Sequence, residues 1–248
     1  MATNLEFINL TSGATIADLI TADPKTSQLL ESIGMEPLAH KDETLRSVCQ
    51  QLKWSEDEVM KGVRKNRTRK NAPIERESNL PDSSLNLTEW YDYLVNEYDP
   101  LVLTHLADVV RDFQRVHHIH GNQYIGLKRI QWPLMSFKEK LRIYAFFEKG
   151  KLFPLAKQIM GGRGEIKDKT VQNIKRGVEI IEEDQNAMRK LMNTIERKGQ
   201  KFRNPAGVCV TLRMFNYNLK SLFSEVRQRF DIEREIIIPS INERLSSI

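Results

Sequence analysis

The stretch LRMFNYNLKSLFSEVRQRFDIE, residues 212–233, decides the fold. Leu212, Phe215, Leu219, Leu222, Val226, Arg229 and Glu233 recur at intervals of three and four, so they share one helix face. Most of that face is apolar and suited to a core, yet it ends in a cation and an acid one turn apart. The same pattern recurs upstream in Leu134, Phe137, Leu141, Tyr144 and Glu148, and in Ile174, Val178, Ile181, Asp184, Met188, Leu191 and Ile195. An earlier helical segment runs from about Thr88 to His118, with Pro100 as a kink or restart. Alternating β-branched residues are scarce, and HGN (120–122), MGGRG (160–164) and RNPAG (203–207) read as turns between helices. The expected fold is therefore all-α: a small N-terminal helical module followed by an antiparallel four-helix bundle.

Three inward stripes are broken by polar residues. Glu148 lies four positions after Tyr144, Glu233 lies four after Arg229, and Asp184 interrupts the third stripe. Bundle cores place metal sites by this device, with ligand pairs one turn apart on facing helices.

Composition limits the alternatives. The chain has 248 residues, with 38 Lys+Arg against 33 Asp+Glu and 40% hydrophobic residues. No apolar run reaches the roughly 18 residues of a membrane span, and the start MATNLEFINLTSGATIADLI lacks the basic and apolar regions of a secretion signal, so a cytoplasmic protein without membrane contact is expected. Cys49 and Cys209 are the only cysteines, which excludes a disulfide scaffold or a thiolate metal cluster, and both read as inert core thiols. The histidines are His40, His105, His117, His118 and His120, so nothing after residue 120 supplies an imidazole. MGGRGE at 160–165 lacks the Lys-Ser/Thr of a phosphate loop, and no nucleophile elbow occurs.

Charge places the boundaries. Residues 1–63 carry a net −5, and Arg64, Lys65, Arg67, Arg69 and Lys70 then add +5 within seven positions. The stretch RKNRTRKNAPIERESNLPDSSLN lacks apolar periodicity and reads as a linker. The expected organisation is a module at 1–63, a basic linker at 64–84 and the bundle at 85–248. In the first module Thr15, Asp23-Pro24 and Thr44 are suited to start three short helices.

These residues resemble the iron-centre repair proteins, in which a small N-terminal module with a Cys-Cys-Gly-Gly turn precedes a hemerythrin-like di-iron bundle. The resemblance covers nearly the whole chain. It is carried by IADLITADPKTSQLLESIGMEPLAHKDETLRSVC (16–49), FFEKGKLFP (146–154), EEDQNAMRKL (182–191), NPAGVCVTL (204–212) and DIEREIIIP (231–239), in order and at matching spacing. Carried over, the paired cysteines fall on Leu38 and Ala39 and the glycines on His40 and Lys41, so the thiol turn is absent. The first bundle His falls on Asp99, and the second is best matched by His120, with His117 as an alternative. The second-helix His becomes Tyr144, the third Asp184 and the fourth Arg229, while Glu148 and Glu233 are kept. A His-rich di-iron centre cannot be assembled from this set.

Two readings of the core follow. In one, Asp99, His120, Glu148, Asp184 and Glu233 form a carboxylate-rich site for iron or manganese, dinuclear as the resemblance implies. In the other, Arg229 and the Tyr144 hydroxyl replace the metal's charge in a buried network with Glu148, Glu233 and Asp184, and no cofactor is held. Asp99 and His120 are separated by about 31 Å on one unbroken helix, so both reach one centre only if the chain bends. The cluster at His117, His118 and His120 is a further metal candidate, or a polar helix end.

Partners are less legible. TLRSVCQQLKWSEDEVMKGVRK (44–65) has the spacing of two helices around a turn, and the five basic linker residues suit phosphate contacts. The acidic SEDEV at the second helix start disfavours nucleic acid. Trp90, Tyr91, Tyr93, Tyr98 and Trp132 are candidate interface anchors. The resemblance implies a homodimer, a role in nitrosative or oxidative stress and iron–sulfur cluster repair. With the thiols and imidazoles lost, the leading expectation is a divergent, non-enzymatic protein acting through protein contacts; the alternatives are a retained repair or redox activity and a DNA-binding regulator.

Overall fold

The computed structural model describes residues 11–68, 85–161, 166–204 and 207–247. The fold is all-α, and no strand occurs among the described residues. Two compact units emerge: the first draws on Met1–Asn71 and Phe202–Lys220, the second on Ala72–Lys201 and Ser221–Ile248. No described helix is long and apolar enough to cross a membrane.

The first unit contains α1 (Ile16–Ala22), α2 (Lys25–Ser32), α3 (Leu45–Gln51) and α4 (Glu56–Thr68). Thr15 starts α1 with a reciprocal cap, its side chain accepting from the Asp18 N–H while the Asp18 carboxylate accepts from the Thr15 N–H. Thr44 starts α3 by accepting from the Ser47 N–H. α4 continues to Thr68, so Arg64 and Lys65 sit on a helix rather than in the expected linker. The side chain of Arg67, and Arg69 and Lys70 altogether, lie outside the described residues, as does the rest of the linker to residue 84. Leu19, Leu29, Leu30, Leu45, Val48 and Val63 form the core, joined by Val210 and Met214. From sequence all of 85–248 belongs to one module; in the structure 202–220 group with the first unit, because those two apolar side chains complete its core.

The second unit contains α5 (Leu87–Tyr93), α6 (Asp99–His120), α7 (Ile125–Phe147), α8 (Phe153–Gly161), α9 (Asp168–Lys198), the C-terminal part of α10 (Val210–Ile232) and α11 (Ile238–Ser246). Asn86 caps α5, with the Glu89 carboxylate returning the bond. Side-chain pairs set the directions of the long helices. α7 meets α9 through Lys140 with Asp184 and Tyr144 with Gln185, and a side chain at Gly126 would abut the Lys198 carbonyl, so these helices are antiparallel. α10 runs antiparallel to α9 through Arg227 with Glu196, Arg189 with Asp231 and Gln185 with Glu233. The Phe137 and Phe223 rings meet edge to face at 5.3 Å in the core.

Three one-turn π segments interrupt the α geometry: Leu94–Tyr98, Glu148–Leu152 and Glu233–Ile237. Each is followed by a helix whose second residue is a proline, Pro100, Pro154 and Pro239. Proline has no N–H and its ring crowds the carbonyl four residues back, and a widened turn just upstream relieves that conflict. The same turns position acids, since Asp99 follows the first and Glu148 and Glu233 open the other two.

Candidate functional site

Asp99, Glu148 and Glu233 converge on one guanidinium. Arg229 donates from Nε to Asp99 Oδ1 at 2.9 Å, from Nη2 to Glu148 Oε2 at 2.7 Å, and from Nη1 to Glu233 Oε1. The planar fork presents its nitrogens in three directions, and each meets a carboxylate from a different part of the chain. Tyr144 donates its hydroxyl to Glu233 Oε2, and Gln185 Nε2 donates to the same oxygen at 2.5 Å and to the Tyr144 oxygen at 3.0 Å. Glu148, Arg229, Glu233 and Tyr144 are all at most 2% exposed.

One cation among three acids leaves an excess of negative charge. Burial pushes the Glu148 carboxyl well above the usual carboxylate range, opposed by Arg229 and reinforced by Glu233 and Asp99. Burial also raises Asp99, against the pull of Arg229. Burial works against the Arg229 charge too, but the three acids outweigh it and hold the guanidinium protonated. Protonation offsets part of that excess, and the raised carboxyls of Glu148 and Asp99 are where burial favours it. Among the described residues, Glu148 Oε1 and the nearby Tyr91 hydroxyl find no hydrogen-bond partner. Burial raises the Tyr91 and Tyr144 phenols as well, so both stay neutral.

No protein-family model and no curated protein matches the chain.

The expected ligand set comes together only in part. Asp99, Glu148 and Glu233 share the centre, with Tyr144 and Arg229 as the second reading requires. Asp184 does not join them: its side chain is 30% exposed and pairs with Lys140 at 3.3 Å. The inward position belongs to its neighbour Gln185, because the buried stripe of α9 steps from Ile181 by four to Gln185 and by three to Met188. His120 lies at the far end of α6, which runs unbroken from Asp99, so the bend that would bring both to one centre is absent; Pro100 sits in the first turn instead. His117 and His120 mark a helix end, where His120 Nδ1 lies 3.4 Å from Gln123 Oε1.

The residues do not fit a di-metal centre. The Arg229 guanidinium stands between the carboxylates that would bind the ions, and a divalent cation there would meet a fixed positive charge. Among the described residues, no three His, Cys, Asp or Glu side chains are disposed to share a metal ion.

Two features escaped the sequence reading. Gln185 is one; His105 is the other. His105 Nδ1 lies 2.7 Å from Glu225 Oε2 with both residues nearly inaccessible, and the Tyr98 hydroxyl donates to the Glu225 carbonyl oxygen at 2.8 Å. The signal was present in the spacing, since His105 falls with Tyr98, Val102 and Val109 on the buried face, and Glu225 precedes buried Val226. Cys49 agrees with its reading as an inert thiol: burial pushes it up to about 11. Of the five candidate aromatic anchors, Trp90, Tyr91, Tyr93 and Tyr98 are core side chains, and only Trp132 stands in solvent.

Proposed function

We propose that this is a divergent, hemerythrin-like bundle protein related to the iron-centre repair proteins, in which an arginine has taken the place of the metal and the chain works through protein contacts rather than catalysis. The observation that carries the reading is the three-way engagement of Arg229 by Asp99, Glu148 and Glu233. These are three of the positions that the resemblance assigns to iron ligands. Stripping a metal from such a core without a replacement would leave buried carboxylates uncompensated, at several kcal/mol each. Arg229, with the protonation that burial favours at Glu148 and Asp99, supplies that compensation, and the fold is retained as a scaffold. The resemblance makes nitrosative or oxidative stress the setting in which partners are to be sought, and homodimers belong among the assemblies to be tested.

The test is the metal content of the full chain purified after expression with iron or manganese supplied, read by elemental mass spectrometry beside a thermal melt. A cooperatively melting protein with only trace metal, and an unchanged melting temperature on adding either ion, is the expected result. About two ions per chain, as in ferritin-like bundles, would instead establish the carboxylate-rich metal site and reopen repair chemistry.

A further inference from the structure

Helix α7 carries an apolar stripe on its outer face. Ile125, Trp132, Ile143 and Phe146 fall within one side of the helix, at intervals of seven, eleven and three. They are 52%, 74%, 63% and 77% exposed, although the opposite side of the same helix supplies Leu134, Phe137, Leu141 and Tyr144 to the core. A large aromatic side chain carries about 150–250 Å². Together the four side chains expose a few hundred Å² of apolar surface along one side of the helix, with Ser136 and Glu139 between Trp132 and Ile143, and exposed apolar area of that order marks interaction sites on soluble proteins.

Charge along the stripe identifies what it would accept. The exposed charged residues of α7 are Lys128, Arg129 and Arg142 against one acid, Glu139, and Lys149 follows just past its end. Glu139 is already engaged within the helix, by Lys138 at 3.1 Å and Arg142 at 3.5 Å. The face thus carries exposed aromatic and aliphatic side chains interspersed with a net cationic set. Two copies of this surface would repel, which disfavours self-pairing; an amphipathic helix with acidic flanks matches both the apolar row and the charge.

We infer that the outer face of α7 docks an acidic amphipathic helix of a partner protein, with Trp132 and Phe146 as the anchors. The inference rests on the reading that the chain works through protein contacts, and it names the surface. Anchors of this type concentrate binding energy, and the cationic set raises the association rate in a salt-sensitive way.

The experiment is selection from a displayed library of helical peptides with randomised faces, using immobilised full-length protein and, in parallel, the Trp132→Ser/Phe146→Ser variant. Both side chains lie outside the core, so circular dichroism of the variant should match the wild type. Enrichment of peptides with apolar residues at i, i+3 or i+4, and i+7 and acids beside them is expected. Their binding should weaken by about ten-fold or more in the variant, and also in Lys128→Glu/Arg129→Glu, and should decline with salt. Enrichment of basic or uncharged peptides, no enrichment over the variant, or binding indifferent to these substitutions would overturn the inference. So would self-association of the protein alone that shields Trp132, or docking of its own residues 1–63 there, seen as a blue-shifted Trp132 emission in the absence of peptide. Metal in the core would refute the proposed function while leaving peptide binding intact, and loss of peptide binding would leave the metal result untouched.

Discussion

Replacing Arg229 by leucine would leave Asp99, Glu148 and Glu233 buried with no cation between them. Breaking a buried pair by removing one partner costs about 3–5 kcal/mol, so Arg229→Leu should lower the chemical-denaturation midpoint of the second unit sharply. Adding Glu148→Gln and Glu233→Gln should recover much of that loss, because neutral amides remove the charges left behind; three substitutions that simply add would refute the network. Glu148 also makes a pH prediction. Burial raises its carboxyl in the folded chain, so the folded chain keeps this proton to higher pH than the unfolded chain does. The native state then binds more protons than the unfolded state, so this contribution to stability is lost as pH rises above about 4.3 towards the raised native value, at no more than about 1.4 kcal/mol per pH unit. Glu148→Gln imitates the protonated form and should flatten the slope, gaining on the wild type between pH 5 and 8 in thermal melts. Parallel slopes would mean that the proton resides elsewhere. At this scale Arg229, Tyr144, Glu148 and Glu233 were legible because they break apolar stripes, whereas Asp184 and Gln185 were not distinguishable: adjacent residues differ by about 100° around a helix, and packing against α7 chose between them.

Helix starts were more legible than the residues between them; the expected turns at 160–164 and 203–207 fall partly outside the described residues. Thr15 and Thr44 cap as read, and Pro100, read as a kink or restart, sits one residue into α6 just after a π turn; Pro154 and Pro239 repeat that arrangement, which the sequence reading did not single out. A glycine marks the end of α2: Gly34 has φ +92, and Met35 N–H donates to the Leu30 carbonyl at 2.9 Å, closing the helix. Gly34→Ala should cost about 1–2 kcal/mol through the left-handed backbone, and more because the added carbon would lie 2.6 Å from Arg213 Nη1, which donates to the Ile33 carbonyl. Gly150→Ala is the comparison, since among the described residues nothing lies within 4 Å of the added carbon, and it should be neutral or slightly stabilising. Equal losses at the two positions in urea unfolding would contradict the conformational explanation.

For the whole molecule, the least sequence-legible feature is where the units divide. Gly62 leaves the space that the Met214 methyl group occupies, and Val210 joins the same core, so the first unit is completed by residues more than 140 positions away. Residues 1–71 expressed alone should accordingly show poor amide dispersion and no cooperative melt. A well-dispersed spectrum would show that 202–220 are dispensable to the unit.

The sequence alone determined the helical class, the helix starts and the presence of a polar set within the long apolar stripes, because these depend on local propensity and on a period of 3.6 that any reader of spacing recovers. Only the tertiary structure decided which polar side chains meet. Asp99 and Glu148 reach Arg229 from distant parts of the chain, His105 finds Glu225 across 120 positions, and His120 is carried away from Asp99 by an unbroken helix. The physical reason is that periodicity states which side of a helix faces inward but not the depth at which two helices pass, and a buried charge is matched or stranded according to that depth.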